Sequence, residues 1–238
     1  EALRAGCHVL CEKPLCLSKS EAREAFEFAQ AKNLLLLEAL KTAYCPGFLH
    51  LIRTACDGTV GAVWDVDASC TMLRSGPVRE LDPDRAGGSM NELASYTLLP
   101  IIKLLGTDYS GISFYSKNEN GVDMFTRVNL SCPRGSASMK VGLGVKSEGN
   151  CVVSGTKGYL LCPSPWWKTW YFEARFEDPA IVLPFADEFA GDGLRYELAE
   201  FVRLIRQHKL QSECLTPEES ICLADVIERF HAWNEKSE

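Results

Sequence analysis

The chain has 238 residues, a formal net charge of -7 and 24% charged residues, enough for one large domain or two small ones. Its 46% hydrophobic content excludes wholesale disorder, and the excess of 32 Asp and Glu over 25 Lys and Arg argues against a nucleic-acid binder. No apolar run approaches the ~18–20 residues that a membrane span needs, no signal peptide is read at the start, and the expected location is cytoplasmic.

Residues 1–6 read as the last turns of a helix stopped at Gly6, where glycine takes a C-cap conformation cheaply. A chain that opens there, on Glu1, is expected to lack upstream residues. Residues 8–11 read as a short buried strand, ended by Glu12-Lys13-Pro14. Ser18 and Glu21 fit a capping box. The helix behind them carries Ala22, Ala25, Phe26 and Ala29 on one face as far as Asn33. The leucines at 34–37 make a second buried strand, and this alternation is the signature of a parallel α/β sheet.

Beyond Thr42 the pattern changes, which places a boundary near residues 40–45. A helix is expected over 46–56, a long strand over 63–72, a Gly/Pro-rich loop over 74–86, and a helix over 89–105 in which Pro100 kinks or restarts the run. Strand-like runs follow at 112–116, 122–132, 136–145, 151–154, 159–162 and 170–176. The turn residues between them imply an antiparallel sheet. Two helices close the chain. One presents Leu194, Leu198, Phe201 and Ile205 as an apolar stripe. The other starts at a second capping box, Thr216 to Glu219, with Pro217 at the first helical position, and lines up Leu223, Ile227, Phe230 and Asn234 beside Val226 and Trp233.

The 11 cysteines include no C-x-x-C pair, and only 4 His accompany them. Neither a zinc site nor a disulfide framework is expected. They read as buried free thiols, packed as small apolar residues, and no metal is expected.

Two segments carry candidate chemistry. Glu12-Lys13-Pro14 lies at the C-terminal end of a parallel strand, where doubly wound sheets bind ligands. An ammonium there stabilises a developing alkoxide or lowers the pKa of a neighbouring acid; the plain alternative is an exposed loop lysine. In residues 86–96 a glycine pair enters a helix, and Glu92 and Tyr96 stand four apart on one helical face. The glycines let a ligand approach the backbone; the plain alternative is a polar face with a tyrosine packed on the core. The aromatic run from Trp166 to Phe172 either stacks a sugar, anchors an interface or packs as a strand of the sheet, with packing or an oligomer interface preferred.

Together these segments resemble the Gfo/Idh/MocA oxidoreductases. Residues 8–14, His-Val-Leu-Cys-Glu-Lys-Pro, are similar to that family's H-V-x-x-E-K-P segment. Residues 86–98 are similar to its G-G-G-x-L-x-D-x-G-x-H/Y-x-L segment, with Ala86 and Ala94 in place of glycines and Glu92 in place of Asp. Gly58 to Val63 resembles its G-x-I-G-x-V turn. The resemblance implies an α/β remnant of a dinucleotide-binding Rossmann domain over residues 1–42. Residues 43–238 would form an α+β domain with an open, mostly antiparallel sheet that shapes the substrate pocket and, in many members, packs in oligomers.

The resemblance further implies NAD or NADP as cofactor of the full-length protein, with weak or absent binding to this chain, because the Gly-rich phosphate turn is expected upstream. The reaction implied is oxidation or reduction at a hydroxyl carbon of a sugar, polyol or sugar derivative. Carried over by position, the catalytic residues are Lys13, Glu92 and Tyr96. Glu12, Lys13 and Pro14 border the cofactor, and Lys13, Asn91, Glu92 and Tyr96 meet the substrate. The Lys13–Pro14 bond is often cis in this family. Tyr96 would take the hydroxyl proton, with Lys13 lowering the phenol from its ordinary pKa of ~10. The alternative is a non-catalytic truncated relative that serves as a sugar-binding or dimerising module. Exposed edges on the strands at 9–11 and 34–37 invite pairing with another chain, so a homo-oligomer is expected, without nucleic acid or membrane as partner.

Overall fold

The computed structural model describes residues 1–236. Residues 1–6 form hydrogen-bonded turns rather than a helix: the Ala5 N–H donates to Glu1 O at 3.0 Å, and Gly6 leaves the turn at φ +79°. So few residues return too few hydrogen bonds to sustain a helix. β1 (Val9–Glu12) and β2 (Leu36–Ala39) pair in parallel, with Val9 opposite Leu36 and Glu12 opposite Ala39. The crossover that a parallel pair needs is α1 (Lys19–Ala31), capped by Ser18 Oγ accepting from Glu21 N at 3.3 Å. It turns Ala22 and Ala29 inward and leaves Ala25 and Phe26 half-buried.

A second, larger sheet follows. It is built from β3 (Val63–Thr71), β4 (Gly111–Glu119), β5 (Val122–Cys132), β6 (Gly135–Gly142), β7 (Cys151–Gly155), β8 (Gly158–Cys162), β9 (Tyr171–Phe176) and β10 (Val182–Ala186). The spatial order is β10-β9-β8-β7-β3-β6-β5-β4, open at both ends. Every neighbouring pair is antiparallel except β3 with β6. Alternation sets the faces: Ala137, Met139 and Val141 of β6 point into the core, while Ser136, Ser138 and Lys140 point away from it. Across the inner face runs α3 (Ser89–Leu105), continuous through Pro100 and buried along almost its whole length. α2 (Pro46–Cys56) packs beside α3, and α5 (Pro217–Asn234) packs on both α3 and α1, so the last helix ties the two sheets together.

Several expectations are corrected. α4 (Leu194–Arg206) buries only part of its apolar stripe: Phe201 and Ile205 are half-buried against the core, but Leu194 and Leu198 are 50% and 52% exposed, whereas Glu197 and Leu204 are buried. The helix rests on the 3-10 turn at Lys41–Tyr44 through its Glu197 side, which leaves the leucines outward. β10 was not foreseen, because Pro184 interrupts a run whose side chains are mostly exposed. All 11 cysteines are free, but the reading of them as buried holds only for some: Cys45, Cys70, Cys151, Cys162 and Cys222 are buried, while Cys7 and Cys56 are exposed. The aromatic run divides. Trp166 is fully buried and donates Nε1–H to Ser69 O at 2.8 Å, Phe172 is core, and Trp170 faces solvent. Among the described residues no helix is long and apolar enough to cross a membrane, and no cluster of three His, Cys, Asp or Glu is placed to hold a metal.

Candidate active site

Two turns meet at the carboxyl end of β1. The first carries Glu12, Lys13 and Pro14, with the Lys13–Pro14 peptide bond cis. It is tied to the end of β2, because Leu15 N–H donates to Glu38 Oε1 at 3.1 Å. The second is the glycine turn into α3. Gly88 has φ +119°, a conformation that side chains disfavour, and a Cβ there would run into the Asp123 carboxylate. Asp123, from β5, does what an N-cap residue would do. It accepts from Ser89 Oγ at 2.5 Å, Met90 N at 2.9 Å and Thr126 Oγ1 at 2.8 Å. Burial pushes its pKa up against the opposing pull of these three bonds. Asn91 staples the same turn: Nδ2 donates to Ala86 O at 3.0 Å and Gly87 O at 3.3 Å, and Oδ1 accepts from His231 Nε2 at 2.9 Å. The polar atoms of Asn91 are therefore engaged in holding the turn.

The two turns bring their charged groups together. Lys13 Nζ donates to the main-chain O of Glu92 at 2.6 Å and stands 3.8 Å from Glu92 Oε2. The same ammonium lies 5.5 Å from the centre of the Tyr96 ring. Burial lowers the Lys13 pKa, and the Glu92 and Glu12 carboxylates oppose that shift. Glu92 Oε1 pairs at 2.6 Å with Arg79 Nη2. Beside this cluster opens a cleft of about 600 Å³, lined by Glu12, Lys13, Pro14, Leu17, Arg79, Ala86, Asn91 and Glu92. Lys13, Glu92 and Tyr96 are thus neighbours, while Tyr96 stands behind the lysine rather than on the cleft wall.

The net shift at Tyr96 runs opposite to the lowering expected from Lys13. Burial, then the nearby Cys70, Glu12, Glu197 and Glu92, raise the phenol well above its ordinary pKa. The ammonium sits over the face of the ring, and desolvation outweighs it. Three charged residues had escaped the sequence reading. Arg79 lies in an aperiodic loop, where no pattern singles it out. Glu197 hides in a helix read by its leucines; burial and Glu12 push its carboxyl up to about 7. Glu38 did leave a signal, a carboxylate ending a run of buried leucines.

Glu38 makes stability depend on pH. Burial raises its pKa to about 7, so between the ordinary carboxylate range and about 7 the native state keeps a proton that the unfolded chain has lost. Stability therefore falls as pH rises through that window, by about 3 kcal/mol once both states are ionised. Urea unfolding of Glu38→Gln should show a variant more stable than wild type in mild alkali, with the advantage fading in acid. A constant difference at all pH values would refute this linkage.

The family described as "Oxidoreductase family, NAD-binding Rossmann fold" matches residues 1–39. Along most of its length the chain is 31% identical to trans-1,2-dihydrobenzene-1,2-diol dehydrogenase of Sus scrofa, covering 95% of this chain and 70% of that protein. It is 29% identical to scyllo-inositol 2-dehydrogenase (NADP(+)) of Bacillus subtilis (strain 168), over 94% of this chain and 69% of that one. In fold it superposes on a levoglucosan dehydrogenase solved with NADH and levoglucosan, at a TM-score of 0.84 and 13% identity, covering 99% of this chain and 73% of that one. Fold and sequence together define an NAD-binding oxidoreductase class. The chain belongs to the Gfo/Idh/MocA family of oxidoreductases.

Proposed function

We propose that this oxidoreductase acts on a hydroxyl-bearing carbon of a polyol, sugar or sugar derivative with NAD or NADP, at the cleft beside Lys13. The observation that carries the reading is the meeting of the half-buried Lys13 ammonium with Glu92, 79 positions further along the chain, and with the Tyr96 ring. The relatives named above, which act on a vicinal diol and an inositol, support the substrate class. The division into residues 1–42 and 43–238 belongs to the same reading, supported by a parallel pair that ends at Ala39 and a second sheet that starts at Val63.

The donor set suits one end of a nicotinamide dinucleotide. Pro14, Leu17 and Ala86 give the cleft apolar surface, and Lys13 with Glu12 gives it polar edges. The 238 residues hold no G-x-G-x-x-G turn, so the residues assigned here, Glu12, Lys13 and Pro14, address the nicotinamide end. The bound nicotinamide supplies the hydride acceptor or donor. Tyr96, kept protonated by burial behind Lys13, is assigned the proton given to the carbonyl oxygen in reduction, which requires the Lys13 side chain to swing off its ring when substrate binds, and it takes a proton back in oxidation only as pH rises. Lys13 stabilises the oxygen as charge develops, and Glu92, held by Lys13 and Arg79, accepts from a neighbouring substrate hydroxyl. Asn91 shapes the turn beneath. The test is nicotinamide absorbance with scyllo-inositol and with a trans vicinal diol, using either cofactor. Turnover that climbs with pH in the oxidation direction is expected. Polyol binding without reduction of either cofactor would instead mark a non-catalytic sugar-binding module.

The reading includes self-association through the larger sheet. Trp64 of β3 is 66% exposed, and Ile181, Val182 and Leu183 are exposed at the β10 edge. Sedimentation at micromolar concentration should give a dimer or larger species; a monomer removes this part of the proposal.

A further inference from the structure

Glu38 closes β2 with a carboxyl group that solvent barely reaches, the residue being 1% exposed. Oε1 accepts from Leu15 N–H at 3.1 Å; the Ser220 hydroxyl is the side-chain donor that acts on the carboxyl, and no donor among the described residues stands at hydrogen-bond geometry to Oε2. An orphaned buried carboxylate oxygen is costly and rare in native proteins, and it calls for a reason beyond packing. The groups that face it come from every element packed around it. Lys13 and Cys16 come from the loop after β1, and Cys11 from β1 itself, as the pairing partner of Glu38. Tyr44 comes from the 3-10 turn, its hydroxyl donating to the Glu38 main-chain O at 2.8 Å, and Ser220 comes from α5. Lys13 is the cation acting on the carboxyl.

We infer that Glu38 is a positioning residue for Lys13: its carboxyl pins the Lys13–Pro14–Leu15 loop through Leu15 and, by gaining or losing a proton, sets how firmly the Lys13 ammonium holds its own. Resting on the reading of Lys13 as the site lysine, this adds a control on that lysine. Burial lowers the Lys13 pKa, with the Arg79 guanidinium adding to that shift. The Glu92 and Glu12 carboxylates lead the opposition to that shift; an ionised Glu38, on which Lys13 acts in turn, adds to them by Coulomb attraction, and a protonated Glu38 does not. The loop contact survives in both states, because the Leu15 N–H finds an acceptor oxygen either way. Glu38 therefore separates two jobs: placing the loop and tuning the charge that the loop presents.

Trace acetylation with acetic anhydride across a pH series, read by mass spectrometry on the Lys13 peptide, tests this. Lys117, whose side chain is 66% exposed, serves as the reference amine. Wild-type protein should show two inflections in Lys13 reactivity, one at about 7 from Glu38 and a second from the amine itself. Glu38→Gln keeps an oxygen for Leu15. It should lose the lower inflection and leave Lys13 several-fold more reactive in mild alkali, whereas Glu38→Asp should retain the inflection. Superimposable wild-type and Glu38→Gln profiles overturn the inference. So does a single inflection in wild type, which decides the matter even where the glutamine variant fails to fold. The labelling needs neither cofactor nor substrate, so a protein without turnover sinks the functional reading and leaves this one standing, and the reverse holds equally.

Discussion

Lys13→Met should lower nicotinamide-linked turnover on the order of 10²–10⁴-fold, the range seen when a group that moves or stabilises a proton is removed. Methionine preserves the length and much of the apolar stem, so packing against the Tyr96 ring survives. The losses are the donor to the Glu92 main-chain O at 2.6 Å and the charge facing Glu92 Oε2. Glu92 keeps its 2.6 Å pair with Arg79, so the glycine turn should hold its place and the melting temperature should move little. Lys13→Arg should rescue poorly, because a planar fork cannot replace a compact ammonium pressed against a carbonyl and a ring face. Steady-state kinetics on a polyol with either cofactor reads the result. A methionine variant retaining a tenth or more of wild-type kcat would remove Lys13 from the chemistry.

Asp123→Ala should destabilise the fold by about 4 kcal/mol, within the range for breaking a buried, hydrogen-bonded charge network. Its carboxylate serves Ser89 Oγ, Met90 N and Thr126 Oγ1 at once, and the N-cap Gly88 has no side chain to do so. Removing it strands those donors where water scarcely reaches them. Asp123→Asn keeps an acceptor oxygen and should cost less. The damage should also reach the chemistry, since Glu92 lies in the first turn of the same helix and a shift of ~1 Å in a positioned group can cost about 100-fold. Denaturant unfolding followed by kinetics on the folded fraction separates the two effects. An alanine variant as stable as wild type would show that the cap has no energetic role.

Much of this architecture was legible because local physics already agreed with the final fold. The glycine pair before Ser89 and the apolar run to Leu105 bounded α3 at both ends. The Thr216–Glu219 capping box started α5, with Glu219 Oε2 accepting from Thr216 N at 2.8 Å. β5 was bounded by its turn residues over 122–132, as found. α4 misled because Leu194, Leu198, Phe201 and Ile205 repeat at helical spacing, and spacing cannot tell which face finds a partner. Helical spacing put Glu92 and Tyr96 on one face of α3, but their meeting with Lys13 came from family likeness rather than periodicity. Their surroundings were hidden because they are tertiary. Arg79 reaches Glu92 only once a loop folds back, and the upward pressure on the Tyr96 phenol comes from burial, which no linear pattern reports.

One contact at the far end of the chain has a genetic consequence. His231, near the close of α5, grips Asn91 under the glycine turn. A nonsense codon or frameshift shortly before position 231 would leave every strand and every residue of the Lys13 cluster encoded, yet it would release that staple together with the contacts of Trp233 and Asn234 to β4. Alleles clipped there should therefore weaken both the glycine turn and the hold of α5 on β4.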